Sequence, residues 1–435
     1  MKKLLLFLFS IIMVCSAGVI FSPVQNQVNA AEHTDEPILP AQYQKMLAKG
    51  MDVDWAKTGA GQRHYSETAV KKFKQAGISH VRIRVKDAAS EKLFQILDRQ
   101  INDCISNGMI PVLAYQANEF KNNVSEESMA AAVNWWETVA AHYKDYSYLL
   151  SFDLLIECSD ALNKQQEKLN EYFEQAVRAI RLTNPKRILI MSPRVRSDAS
   201  YLKELEIPTQ SNGYMMAEWH FYASGPSKEN ARKLWTTGTD KEKKLIKDKI
   251  NLAKAWQKDT GIPTWVGAWM AGNYNDGDDY SIEEQVKFAH YMVTQLQAAN
   301  IPFAVNSDTK FYDRESNKWV TQMLPLRYCI FDSYEKAAAQ LFPQSKVNMK
   351  AARAVSPKSI QVSWEKLKHA SAYRLVISTS SKFDRAKRQY STAVTSKTVR
   401  NLQKGKTYYI KVRGCRKYSG KTIYSSYSRT LKIKI

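Results

Sequence analysis

The chain has 435 residues, too many for one ordinary domain and enough for two. A composition 44% apolar and 11% aromatic, with only 16 Gly and 13 Pro, excludes a disordered polymer or a collagen. The net charge of +22 is concentrated rather than spread: residues 345–435 hold 23 of the 64 Lys and Arg but only two acids, Glu365 and Asp384, so a near-neutral body precedes a basic tail.

At the start, Lys2 and Lys3 precede an apolar run from Leu4 to Phe21, followed by Val28-Asn29-Ala30. A basic end, an apolar stretch and a small-residue cleavage site predict a secretory signal peptide over 1–30, and hence a secreted protein. An uncleaved membrane anchor is the alternative, weakened by Ser10, Cys15, Ser16 and Gly18 within the run. Residues 31–44 form an N-terminal segment. Four cysteines remain, Cys104, Cys158, Cys329 and Cys415, with no CxxC-like spacing, so neither a metal site nor another cofactor is expected.

Residues 45–341 alternate short β-rich runs with amphipathic helical ones. Strands are expected near 50–55, 80–86, 110–117, 149–157, 187–192, 214–223, 263–270 and 302–308, with helical patterns such as 66–77, 130–146, 169–182, 241–257 and 282–299 between them. Eight such units over this length predict an α/β fold of the (β/α)8 TIM-barrel type. A doubly wound open sheet is the alternative. It calls for a Gly-rich phosphate loop after the first strand, which Trp55-Ala56-Lys57-Thr58-Gly59 does not supply. Residues 345–435 then show period-two strands and predict an all-β module.

In a barrel the chemistry sits at the C-terminal ends of the strands. Strand two ends Val81-Arg82-Ile83-Arg84-Val85, strand four reads Phe152-Asp153-Leu154-Leu155-Ile156-Glu157-Cys158, and strand six carries His220-Phe221-Tyr222. These are similar to V-R-I-P, F-E-x-x-N-E-P and H-x-Y of glycoside hydrolase family 5, the cellulase-type barrels. That resemblance implies a hydrolase of O-glycosidic bonds in a β-linked polysaccharide, with Glu157 as acid/base and Arg82, His220 and Tyr222 around it. The tail, with Trp364 on its second strand and Leu402-Gln403-Lys404-Gly405-Lys406-Thr407-Tyr408 before a later one, resembles a fibronectin type III sandwich and its tyrosine corner.

Strand seven departs from the pattern. Trp265-Val266-Gly267-Ala268-Trp269 aligns with V-G-E-x-G and puts Ala268 at the nucleophile position. Ile156, Cys158 and Gln116 replace the family's asparagine, proline and histidine. Glycosidic chemistry needs a second carboxylate, either to attack or to activate water. Asp308, ending strand eight beside Asn306, and Glu218, sharing parity with His220 but about 6.6 Å deeper, are the candidates. One of them is expected to neutralise Arg82, because a buried cation without a counter-charge is costly. Gln116, Asn306, Trp269 and Tyr274 complete the expected sugar contacts, the aromatics as stacking faces.

Three function classes stay open: the hydrolase; a catalytically inactive carbohydrate-binding pseudoenzyme held at the wall by its basic domain; and a wall-attached structural or adhesion protein. The tail has no recognition helix or zinc knuckle, so nucleic acid is not expected, and an anionic cell-wall polymer is its expected partner. A merely solvated basic face is the alternative.

Overall fold

The computed structural model describes residues 36–222, 235, 237–272 and 280–435. The leader expected over 1–30 and Tyr274 lie outside them. Eight parallel strands close into a barrel: β1 (Lys49–Val53), β2 (His80–Val85), β3 (Ile110–Tyr115), β4 (Ser151–Asp153), β5 (Leu189–Met191), β6 (Met215–Tyr222), β7 (Thr264–Met270) and β8 (Phe303–Asn306). Gly50 pairs with both His80 and Ala304, so β1 joins β2 on one side and β8 on the other and closes the ring.

The surrounding helices form where the sequence puts apolar residues at i, i+3 and i+4. Glu91–Ser106 buries Leu93, Phe94, Leu97, Ile101 and Cys104 along one stripe, and the Ser90 hydroxyl caps its start. Capping boxes start Glu126–His142, Asp240–Thr260 and Ile282–Ala298, and Gly261 ends the second of these in the left-handed conformation that glycine tolerates. The unit after β5 is irregular: a turn with left-handed residues Val195, Arg196 and Ser197, then a 3-10 segment Ala199–Glu204, replaces a long helix.

The barrel floor is packed. Helix Pro40–Leu47 inserts Tyr43, whose hydroxyl donates to the Leu149 carbonyl at 2.8 Å. Above it, His80 Nδ1 lies 2.5 Å from the Leu47 carbonyl while Nε2 accepts from Trp265 at 3.1 Å. This pins one neutral tautomer, and burial lowers the His80 pKa to about 4. A Cβ on Gly50 would meet that imidazole at 2.2 Å, so only glycine fits there.

After β8 a two-stranded hairpin, β9 (Tyr312–Asp313) and β10 (Lys318–Trp319), precedes helices Leu324–Phe331 and Tyr334–Leu341. The tail is all-β. One sheet orders β11 (Met349–Ser356), β12 (Ser359–Trp364) and β15 (Ser396–Val399). The other orders β14 (Arg388–Thr392), β13 (Ala372–Ser378), β16 (Thr407–Tyr418) and β17 (Lys421–Tyr424), with β18 (Leu431–Lys434) also on β16. Alternation along β16 buries Tyr408, Ile410 and Val412 against Trp364, Leu375 and Val399. The tail touches the barrel: Arg416 pairs with Glu335 at 2.7 Å, and Ser426 donates to the Pro343 carbonyl through its amide at 3.0 Å and its hydroxyl at 2.8 Å.

Candidate functional site

At the C-terminal mouth of the barrel lies a recess of about 140 Å3. Its wall includes Arg82, Gln116, Glu157, Ala268 and Asn306, which the strand registers bring together from β2, β3, β4, β7 and β8 or the turns just after them. Of the other expected site residues, His220 and Tyr222 stand behind Glu157.

Arg82 is fully buried at the centre. Its Nε donates to Asp153 Oδ2 at 2.8 Å and Nη2 to Glu218 Oε1 at 3.3 Å. His220 lies between the carboxylates, with Nδ1 3.0 Å from Glu157 Oε1 and Nε2 3.2 Å from Glu218 Oε2. An acceptor on each ring nitrogen selects the imidazolium, which donates both ways. Burial alone would lower its pKa, but Glu218 and Glu157 outweigh that and raise it to about 9. Arg82 Nη1, 3.1 Å from Nε2, is then a like-charged neighbour rather than a donor.

Glu157 is the least buried of these acids. Burial opposes its ionisation, but the bond and charge of His220, with Lys121 and Arg196 nearby, hold its pKa well below the usual carboxylate range. Tyr222 Oη also donates to Oε1 at 3.0 Å, and Arg196 Nη1 stands 3.7 Å from Oε2. Glu157 has φ +53°, a left-handed backbone that costs a non-glycine residue of order 1–3 kcal/mol. Val195, Arg196 and Ser197, at +57°, +55° and +61°, share that conformation; they turn Arg196 toward Glu157 and let Ser197 donate to Glu218 at 3.2 Å.

Asp153 and Glu218 share one arginine, so their titrations diverge. Burial and the Glu218 charge push Asp153 up to about 8 despite Arg82. Glu218 meets the same burial, but Arg82 and His220 bring its pKa below the ordinary value. Near neutrality the centre therefore holds Arg82 and His220 as cations, Glu157 and Glu218 as anions and Asp153 protonated, and its charges balance. Glu218 occupies space left by Gly267, where a Cβ would lie 1.8 Å from Oε2. A bulge in the β6–β7 register, Trp219 opposite Val266 but His220 opposite Ala268, creates this approach.

Two expected site residues fall elsewhere. Asp308 does not end β8. It opens the short turn Asp308–Phe311, where Arg314 grips it through Nη2 at 2.6 Å and Nε at 2.8 Å and Trp55 donates at 3.1 Å, so it faces away from Arg82's partners. Trp269 is fully buried against Phe288 and Phe303, because β7 runs on to Met270 and alternation turns Trp269 opposite to Ala268. Among the described residues the recess has no aromatic lining; its walls are polar. Lys57, Lys121 and Arg196 belong to it and were not singled out from sequence, because each sits on a loop or a one-turn helix whose path no periodicity encodes. No group of three or more His, Cys, Asp or Glu that could hold a metal ion occurs among the described residues.

The family model described as Cellulase (glycosyl hydrolase family 5) matches residues 39–308. Endoglucanase H of Acetivibrio thermocellus is 21% identical over 266 residues, which is 58% of this chain; the chain spans only 29% of that relative's length. Among solved structures, Thermotoga maritima Cel5A in complex with cellobiose, in mutant form, is similar with a TM-score of 0.59 at 22% identity, over 68% of this chain and 99% of that one. A GH5-4 broad specificity endoglucanase from Clostridium cellulovorans gives 0.58 at 19% identity, over 68% and 97%. At these identities the likeness to solved structures is one of fold.

Proposed function

The chain belongs to glycosyl hydrolase family 5, and from that premise we propose that its barrel binds a β-linked polysaccharide at the recess without the family's retaining hydrolysis. One observation carries this reading: Ala268, where the family motif has its nucleophilic acid, lines the same recess as Glu157. A methyl group neither attacks an anomeric carbon nor activates water. Glu157, ionised and held by His220 and Tyr222, lacks the proton a general acid must donate. What remains is a polar recess with amide, carboxylate and guanidinium groups suited to hydroxyls.

A second reading keeps hydrolysis, with Glu157 as acid/base and Glu218 as the second carboxylate. It is favoured by the approach of Glu218 to the Gly267 backbone, next to the missing nucleophile. Reducing-end release from β-glucan, mannan and xylan, with glycan binding followed in parallel, separates the two for the native chain, Glu157→Ala and Ala268→Glu. Binding without release supports the first reading, most directly if Ala268→Glu gains hydrolysis. Native release abolished by Glu157→Ala supports the second. Neither binding nor release leaves an adhesion or structural role.

The tail fits a fibronectin type III-like module. Its two antiparallel sheets, the buried Trp364 against Tyr373 and the Tyr408 hydroxyl accepting from the Gln403 amide at 2.8 Å support that assignment. We assign it the role of holding the protein on an anionic wall polymer. This agrees with secretion, which rests on the leader-like residues 1–30.

A further inference from the structure

The recess is lined by five cationic side chains, Lys57, Arg82, Arg84, Lys121 and Arg196, against three carboxylates, Asp52, Glu157 and the exposed Asp160. Arg82 is matched from beneath by the Glu218 carboxylate while its Nε donates to the protonated Asp153, and Arg84 is matched by Asp52 at 3.3 Å and Asp54 at 2.6 Å. Three loop cations are matched less well. Arg196 reaches only the far oxygen of Glu157, whose other oxygen already serves His220 and Tyr222. Lys121, buried, donates to two neutral oxygens, Gln116 Oε1 at 3.3 Å and the Ile156 carbonyl at 2.9 Å. Lys57, half-buried on the same wall, has no hydrogen bond or ion pair among the described residues.

Cations kept from water are costly unless an anion answers them. Burial brings Lys121 down to about 8 and lowers Lys57 as well; Glu157 and Asp160 offset this only in part for Lys121, and Asp54, Asp52 and Glu157 only in part for Lys57, which Arg84 also repels. β7 presents Ala268 to the same recess, at the position where the family motif has a carboxylate.

We infer that the recess takes the carboxylate of an acidic sugar, a hexuronate unit of a β-linked polysaccharide, with Lys57, Lys121 and Arg196 as its counter-charges and Ala268 leaving room for it. This rests on the reading of the recess as a glycan site and adds the sugar class. A volume of about 140 Å3 is below that of pockets for drug-sized ligands and suits a single residue of a chain. A hydroxyl can accept a hydrogen bond from a lysine but cannot cancel its charge. A carboxylate does both, through short charge-assisted bonds.

Calorimetry on the full chain at low salt tests this with oligomers of β-1,4-linked glucuronic acid and cello-oligosaccharides of equal length, which differ only in oxidation at C6. The acidic oligomer is expected to bind roughly tenfold tighter or more. Lys57→Met and Lys121→Met should each erase much of that preference, with folding checked by circular dichroism. Ala268→Glu, which restores a carboxylate in place, should abolish acidic binding, whereas Ala268→Gln, of the same shape without charge, should weaken it less. If Lys121→Met does not fold, Lys57→Met and the Ala268 pair still decide. Neutral oligomers bound as tightly as acidic ones, or a preference untouched by the lysine substitutions, would overturn the inference and leave the glycan reading standing. Binding of neither oligomer overturns both.

Discussion

His220 and Asp153 make the folded chain hold protons that the unfolded chain releases. The His220 pKa rises from 6.5 to about 9 and that of Asp153 from 3.8 to about 8. Above about pH 6.5 both are still protonated in the native state while their unfolded counterparts are not, so stability must fall as pH rises toward 8. Each such proton changes stability by about 1.4 kcal/mol per pH unit. Lys121, lowered to about 8, acts in the opposite sense only above that value; Glu157 and Glu218, both lowered, matter in acid, where their stabilisation is lost as pH falls below the ordinary carboxylate range. A urea midpoint that declines from pH 6.5 to 8, with a shallower decline in Asp153→Asn, is expected. A flat or rising profile would contradict the imidazolium between Glu157 and Glu218. The cluster itself was legible in the sequence, since the resemblance to family 5 motifs brought together Arg82, Glu157, His220 and Tyr222 from β2, the turn after β4, and β6, alternate strands of the barrel. A carboxylate partner for Arg82 also followed from charge, with Glu218 and Asp308 both open, and Glu218 is the one that pairs with it. The grip of Arg314 on Asp308 did not follow, because it depends on how the turn after β8 folds.

At the scale of elements, alternation served the sequence reading wherever a strand ran regularly, and failed where a strand was shorter than its apolar run suggested. β4 spans only Ser151–Asp153, so Glu157 rides on a left-handed turn rather than on the strand; β7 ends at Met270 as expected, and its own alternation, opposite to Ala268, is what sends Trp269 into the helix layer. The bulge opposite Trp219 and His220 falls at Gly267, an isolated glycine within a strand, which is the local signal for it. In the tail the pattern was unambiguous, and one hydrogen bond there tests the packing. Tyr408 Oη accepts from the Gln403 amide, tying the turn before β16 to the strand. Tyr408→Phe keeps the ring and removes the acceptor, leaving the amide short of a partner at a cost of about 1–3 kcal/mol. The expected result is a lower unfolding temperature for the tail's transition, while glycan binding at the recess stays unchanged. An unaltered melting profile would show that water replaces the hydroxyl without loss.

Across the whole molecule the two cationic features differ in kind, and salt distinguishes them. The recess is a confined site, whereas the tail spreads its charge over strand faces. On β16, Lys411 lies over Phe383 at 4.0 Å and Tyr427 at 4.4 Å, and Arg413 over Tyr424 at 3.9 Å, so these heads are held on aromatic faces at the surface. Exposed charges are screened within a Debye length of about 10 Å at 0.1 M salt and about 3 Å at 1 M. Adhesion through the tail should therefore collapse with added salt, while a site that shields its lysines should hold its ligand more persistently. Retention of the full chain on an immobilised polyanion is expected to be strong at low ionic strength and lost as salt approaches about 1 M. Lys411→Glu with Arg413→Glu should bring elution to lower salt. Ala268→Glu, which changes one charge inside the barrel and none on the tail, should leave elution nearly unmoved. If the barrel substitution shifts elution and the tail pair does not, the tail is a solvated face and the recess alone meets the polymer. The contacts of Arg416 with Glu335 and Ser426 with Pro343 join the tail to the barrel, so a single acidic chain has both cationic surfaces within one molecule to engage.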